Sequence, residues 1–247
     1  MEFLLLLTIF TIAFVIGIIA SMTGLGGGFL IVPVLSLLFD IPIKVAIGTS
    51  TLVITFVGLS ASVGYFRKNL INLRLILPLA IGVVFGAQIG ALLTTPISEG
   101  MLERMIGVVF IAISIFMYNK REDTVKQEYL ISNPLLLCSG SLIGVYSGLF
   151  GMGGGVFMVP LLSFIGAPIT LSIASSASVT FFAGLSGASR HLMLEQVDLV
   201  VGLFASLGVI LGAQIGPAIA IRLQPKTLKI VFSLIIGIIG FVMLIAQ

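Results

Sequence analysis

Charge is the scarcest commodity in this sequence. Only 9% of its 247 residues are charged while 59% are hydrophobic, and the mean hydropathy is +1.30. Soluble domains carry roughly a quarter charged residues, so the shortage excludes a water-soluble fold and makes the chain an integral membrane protein. Outside a polar stretch near 119–133 no segment is long and polar enough to form a soluble domain. The single cysteine, Cys138, excludes an internal disulfide and a cysteine metal cluster, and it is expected as a small apolar core residue. No aspartate or glutamate falls clearly within an apolar segment, so the carboxylate relay of a proton pump is missing. With one histidine, His191, and no His-Glu-x-x-His pattern, the chain also lacks the nucleophile, base or metal set of a membrane-embedded enzyme. Neither catalytic residue, metal nor cofactor is expected. The start, Met1-Glu2-Phe3, lacks the basic region of a signal peptide and is read as a retained first segment. Net charge is +3 and the calculated isoelectric point about 9.2, but the basic residues sit in loops between apolar runs, where insertion orientation requires them; a nucleic-acid partner is not expected.

What the chain has in quantity is glycine, arranged twice in the same way. Gly24-Leu-Gly-Gly-Gly-Phe-Leu-Ile-Val-Pro33 returns as Gly151-Met-Gly-Gly-Gly-Val-Phe-Met-Val-Pro160. The spacing after it repeats as well. Pro42 answers to Pro168, Gly48-Thr-Ser-Thr to Ala174-Ser-Ser-Ala, Gly58-Leu-Ser to Gly184-Leu-Ser, and Gly86-Ala-Gln-Ile-Gly to Gly212-Ala-Gln-Ile-Gly. A duplicated membrane unit with interrupted apolar segments is the pattern of a transporter.

Ten apolar segments can be drawn, at about 3–22, 27–39, 43–66, 72–94, 101–118, 134–150, 154–165, 168–190, 196–220 and 227–246, five in each half. About 20 helical residues cross the hydrocarbon, and the second and seventh segments are too short. Each also contains a proline, Pro33 or Pro160, and both are expected to half-span or re-enter the membrane. The fold expected is therefore all-α, built of two repeats of about five segments with glycine-broken, partly re-entrant helices. Residues 1–118 form the first repeat, 119–133 a cytoplasmic linker and 134–247 the second repeat.

An odd number of crossings per half inverts one repeat relative to the other. Counted so, Arg67, Lys68, Arg74, Lys120, Arg121, Lys126, Arg222, Lys226 and Lys229 gather on one side, leaving Lys44, Arg104 and Arg190 on the other. Treating each glycine-broken pair as one crossing dilutes this positive-inside bias. Inversion, with both termini outside, is the favoured reading.

A Gly-Gly-Gly interruption within hydrocarbon frees backbone N–H groups and opens the positive end of the following short helix, which suits an anion. The candidate substrate-binding glycines are Gly24, Gly26, Gly27 and Gly28 with Gly151, Gly153, Gly154 and Gly155; the competing role is close helix packing. Neither copy ends in Lys-Ser/Thr or follows a strand, so nucleotide-binding readings fail. Gln88 and Gln214 put an uncharged donor and acceptor into long apolar segments, either at the substrate site or as interhelical bonds. Thr49, Ser50 and Thr51, with Ser175, Ser176 and Ser178, complete the candidate set; such hydroxyls also bond back to the preceding turn. His191 adjoins Arg190 at a segment end, where packing or a surface role is expected over proton coupling.

At Gly24-Leu-Gly-Gly-Gly and Gly151-Met-Gly-Gly-Gly, each followed by Val-Pro, the sequence resembles the TauE/SafE family of sulfite exporters and related anion permeases, over essentially the whole chain. The resemblance implies transport of sulfite, sulfoacetate or another small inorganic or organosulfur anion across a prokaryotic plasma membrane. Thiosulfate-uptake relatives are associated with pathway cysteines, so the lone Cys138 speaks against that subtype. The expectation is a secondary carrier working at a midplane site between the repeats, with an anion channel of the same lining as the alternative. Membrane lipid is the other partner, and a homo-oligomer is compatible with the sequence.

Overall fold

The computed structural model describes residues 2–119 and 132–222, together with residue 230, residue 234 and residues 237–244. These residues are helical with connecting turns. Helix α1 covers Glu2–Thr23; α2 covers Gly28–Pro33 and runs into a π-helical turn at Val34–Leu38. Then follow α3 (Ile43–Phe66), α4 (Leu73–Leu93) and α5 (Glu99–Asn119). The second half repeats the order with α6 (Asn133–Phe150), α7 (Gly155–Phe164), α8 (Ile169–Met193) and α9 (Leu199–Ala220). Most of the tenth expected segment and of the 119–133 linker lies outside the described residues.

Among the described residues six helices are long and apolar enough to cross a membrane: α1, α3, α4, α6, α8 and α9. The all-α membrane fold expected from the sequence is borne out. The two short segments stay short: eleven residues at Gly28–Leu38 and ten at Gly155–Phe164, or about 15 Å at 1.5 Å per residue, half of the hydrocarbon. Local chemistry sets the boundaries. Proline begins α3 and α8 from extended backbone at Pro42 and Pro168. Asn72 caps α4 by accepting from Arg74 N–H at 3.1 Å, and Asp198 caps α9 by accepting from Val201 N–H at 3.0 Å. Pro33 removes an intrahelical donor, and the widened π turn follows at once.

The helices exchange partners between halves. Helix α1 packs on α9, and α4 on α6. Both seams are lined by glycine at every fourth position: Gly82, Gly86 and Gly90 of α4 against Gly140, Gly144 and Gly148 of α6, and Gly208, Gly212 and Gly216 of α9 against α1. A Cβ at Gly86 would strike the Ser141 carbonyl oxygen, and one at Gly212 the Phe14 carbonyl oxygen. Backbone thus meets backbone, which maximises dispersion contact where lipid removes the hydrophobic drive between helices. Contacts climb together along each seam, Gly82 with Leu137, Gly86 with Ser141 and Gly90 with Val145, so the paired helices run parallel. The central pair, α3 and α8, runs the other way: Gly48 meets His191 while Ser62 Oγ donates to Ser178 Oγ at 3.2 Å.

One smaller expectation is corrected. Cys138 is exposed on α6, because it lies off the glycine face by which that helix packs. Of the packing and surface roles expected for His191, the packing one agrees with its full burial, the ring nitrogens lying within 2.9 Å of Gly148 O and of Gln196 Oε1.

Gly86→Ala is expected to force α4 from α6 and cost about 1–3 kcal/mol. Gly100→Ala, where no atom lies within 4 Å of the added carbon, is expected to be neutral or to gain up to about 1 kcal/mol from helix propensity. Thermal unfolding in detergent compares them; equal shifts would refute close packing at the seam.

Candidate functional site

Each glycine break reverses the chain at the end of the first helix of its half. Gly24, Gly26 and Gly27 hold φ values of +74°, +87° and +81°, and Gly151, Gly153 and Gly154 hold +69°, +77° and +69°. Three left-handed residues out of four is a backbone that only glycine adopts without strain. The two breaks lie against each other. A Cβ at Gly28 would strike the Gly151 carbonyl oxygen, one at Gly155 the Gly24 carbonyl oxygen, and one at Gly153 would come within 3.4 Å of Gly26 Cα.

Helices α3 and α8 hold the pair crosswise. Ser50 of α3 donates to Gly151 O at 2.7 Å, and Ser176 of α8 donates to Gly24 O at 2.6 Å, each reaching the break of the other half. Thr180 donates to Gly153 O at 2.8 Å. The carbonyls of Gly27 and Gly154 accept from the first turns of α2 and α7. The carbonyls of Gly24, Gly27, Gly151, Gly153 and Gly154 are therefore claimed. The N–H groups of Gly26, Gly27 and Gly28, and of Gly153, Gly154 and Gly155, find no acceptor among the described residues. All six glycines are buried. Side chains against the breaks include Ile16, Ile54, Ile143, Ile173 and Thr180, none of them charged. With carbonyls capped by hydroxyls and donors left over, the local field is that of an anion nest.

Of the six candidate hydroxyls only Ser50 and Ser176 touch the breaks. Thr51 bonds back to Gly48 O at 2.6 Å and Ser178 to Ala174 O at 3.1 Å. Thr49 Oγ1 accepts from Asp198 N–H at 2.9 Å, whereas its repeat partner Ser175 is buried with an unpartnered hydroxyl. The glutamines bond across helices. Gln88 Nε2 donates to Ser186 O at 2.7 Å and Gln214 Nε2 to Ser60 Oγ at 2.8 Å; their partners lie on α8 and α3, none in a break. Thr180 escaped the search by repeats because its counterpart is Ile54, which carries no polar atom. Tyr65 and His191 are repeat partners in the sequence, and the structure adds what each bonds: Tyr65 donates to Ser21 O at 2.7 Å, and His191 Nε2 lies 2.9 Å from Gly148 O.

The end bearing the 194–198 loop is tied more heavily than the opposite one. Gln196 Oε1 accepts from Thr94 at 3.2 Å and lies beside His191 Nδ1; Thr49 receives Asp198 N–H; and Lys44 Nζ donates to Thr95 O at 2.9 Å. At the other end the matching residues are Ala220, Leu70, Tyr65, Ser175 and Thr170.

Six long apolar helices around a pair of buried, donor-rich helix breaks define a polytopic membrane protein of the transporter class, and no cluster of metal ligands occurs among the described residues. The sequence profile of the TauE/SafE sulfite exporter family matches residues 9–243, and the chain belongs to that family. It is 31% identical to a "Probable membrane transporter protein" of Methanocaldococcus jannaschii, over 99% of this chain and 97% of that one. A protein of the same description from Bacillus subtilis is 30% identical, covering 94% and 96% of the two chains. One from Sinorhizobium is 32% identical over 93% and 88%. No solved structure matches.

Gly153→Ala is expected to destabilise through two separable effects: left-handed backbone at about 1–2 kcal/mol, and a Cβ 2.9 Å from the Thr180 methyl. In a Thr180→Ser background, which keeps the hydroxyl and deletes the methyl, the second penalty should vanish. A double-mutant cycle by thermal unfolding measures the coupling; strict additivity would refute the packing of Thr180 on this break.

Proposed function

We propose that the chain is a secondary carrier that exports small sulfur-containing oxyanions, such as sulfite or an organosulfonate, by alternating access at the paired breaks. The observation that carries this reading is the set of six buried glycine N–H groups without protein acceptors. An unpaired buried donor costs roughly 1–3 kcal/mol, and such a cluster persists where water or cargo supplies the missing acceptor. A site of neutral donors holds an anion while remaining weak enough to release it. The hydroxyls of Ser176, Ser50 and Thr180 take up the carbonyls of Gly24, Gly151 and Gly153, which leaves fewer acceptors there for a cation.

The repeats are proposed to be inverted about an axis in the membrane plane. Support comes from α3 and α8, repeat-equivalent helices that run antiparallel, and from Ser50 and Ser176, which make the same bond in exchanged halves. Loop charge supports a topology with 67–72 and the 119–133 linker in the cytoplasm of a prokaryote and both termini outside. Rocking of the halves on the glycine seams would expose the breaks to each side in turn.

Sulfite counterflow in proteoliposomes is the direct test, with saturation expected for a carrier and sustained single-channel current for a pore. Gly27→Val and Gly154→Val should abolish flux while the proteins still insert; near-normal flux would return these glycines to a packing role. For topology, Leu70→Cys and Met193→Cys in a Cys138→Ser background should react with impermeant reagent from opposite faces. Reaction from one face would overturn inversion.

A further inference from the structure

Arg190 is a cation without a counter-ion in a helix bundle that has few charges. It sits in the last turn of α8, half-buried, and among the described residues no carboxylate pairs with it. Its Nε donates to Gln88 Oε1 at 2.9 Å. The orientation of that amide is fixed from both ends. Gln88 Nε2 faces the Ser186 carbonyl at 2.7 Å and the hydroxyls of Ser186 and Ser189 at 3.1 and 3.0 Å, and a carbonyl only accepts. The Gln88 oxygen must therefore meet the guanidinium. Among the described residues the terminal guanidinium nitrogens meet no protein acceptor.

The arrangement exists once. At the equivalent place in the first half Gly64 stands where Arg190 does, and a Cβ there would lie 2.9 Å from the Pro217 ring. Gln214 keeps the bond to its serine but has no cation to hold. A cation at a helix C-terminus interacts well with the dipole, yet that role needs neither an arginine nor a buried amide to aim it. A guanidinium held through Nε presents its outer N–H groups as a rigid fork, the geometry that takes two oxygens of one oxyanion.

We propose that Arg190, positioned by Gln88, is an anion-binding site at the 194–198 end of the molecule, the outer end in the topology proposed above, holding the oxyanion between the glycine breaks and that face. The proposal rests on the transport reading above and gives the glutamine a different part: its donors are spent on α8, so it orients the arginine and does not touch cargo. The same fork fits a lipid phosphate, and the test separates the two sources.

Sulfite and sulfate binding is measured in maltoside micelles free of phospholipid, and sulfite flux in phosphatidylcholine vesicles with and without phosphatidylglycerol. R190Q should weaken sulfite binding, and raise the half-saturation constant, at least about tenfold, with the maximal rate changed far less. R190K should recover little, because it restores the charge without the fork. Q88M should fall between, with a melting temperature that shows it folded. Unchanged sulfite affinity of folded R190Q in micelles, or full rescue by R190K, overturns the proposal. So does a defect confined to phospholipid vesicles, which would assign the fork to a lipid phosphate. If the unaltered protein binds sulfite through Arg190 yet moves none across vesicles, the transport reading falls and the site stands. Normal flux with an indifferent R190Q has the opposite meaning.

Discussion

Backbone inside hydrocarbon must have its hydrogen bonds satisfied, and everything unusual in this protein follows from breaking a helix twice where water does not reach. Each break frees carbonyls and N–H groups together. Hydroxyls of Ser50, Ser176 and Thr180 take the carbonyls of Gly151, Gly24 and Gly153, so the fold leaves more donors than acceptors open at the breaks. Sign selectivity then needs no charged side chain at the centre, which agrees with the shortage of ionisable residues in the apolar segments. The desolvation that would penalise a buried lysine or arginine there is avoided.

The crosswise bonds also explain why the halves do not behave as independent domains. Helix α1 finds its close partner in α9, and α4 finds its own in α6, so each half supplies what the other packs upon. Glycine seams make those interfaces shape-specific: where a carbonyl oxygen occupies the place a Cβ would take, neither axial sliding nor rotation is tolerated at little cost.

Much of this was legible from the residues. Expected segments at 43–66 and 134–150 meet observed helices at Ile43–Phe66 and Asn133–Phe150, and the short pieces at 27–39 and 154–165 meet Gly28–Leu38 and Gly155–Phe164. Proline and glycine punctuate the chain, and apolar runs of membrane length leave little choice between their boundaries. The partners of individual side chains were not legible. Ser50 and Thr51 are adjacent and chemically alike, yet one crosses to Gly151 and the other folds back to Gly48, a difference set by a rotation of about 100° along the helix. Repeat matching found the serines and glutamines because both copies keep them. By the same logic it passed over Thr180 and Arg190, whose importance lies in having no counterpart. Cys138 was misplaced because apolar periodicity does not distinguish the lipid-facing side of a membrane helix from its packed side.

The heavier fastening of the end near 194–198 gives the duplicated chain a direction. Among the described residues that end holds the Thr49–Asp198, Thr94–Gln196 and Lys44–Thr95 bonds, while Ser175, Ala220 and Thr170 stand in place of Thr49, Thr94 and Lys44 at the other. At a net worth near 1 kcal/mol for each bond lost, the two openings of the proposed cycle would differ in cost. In that proposed cycle the work is concentrated in the stroke that parts this end.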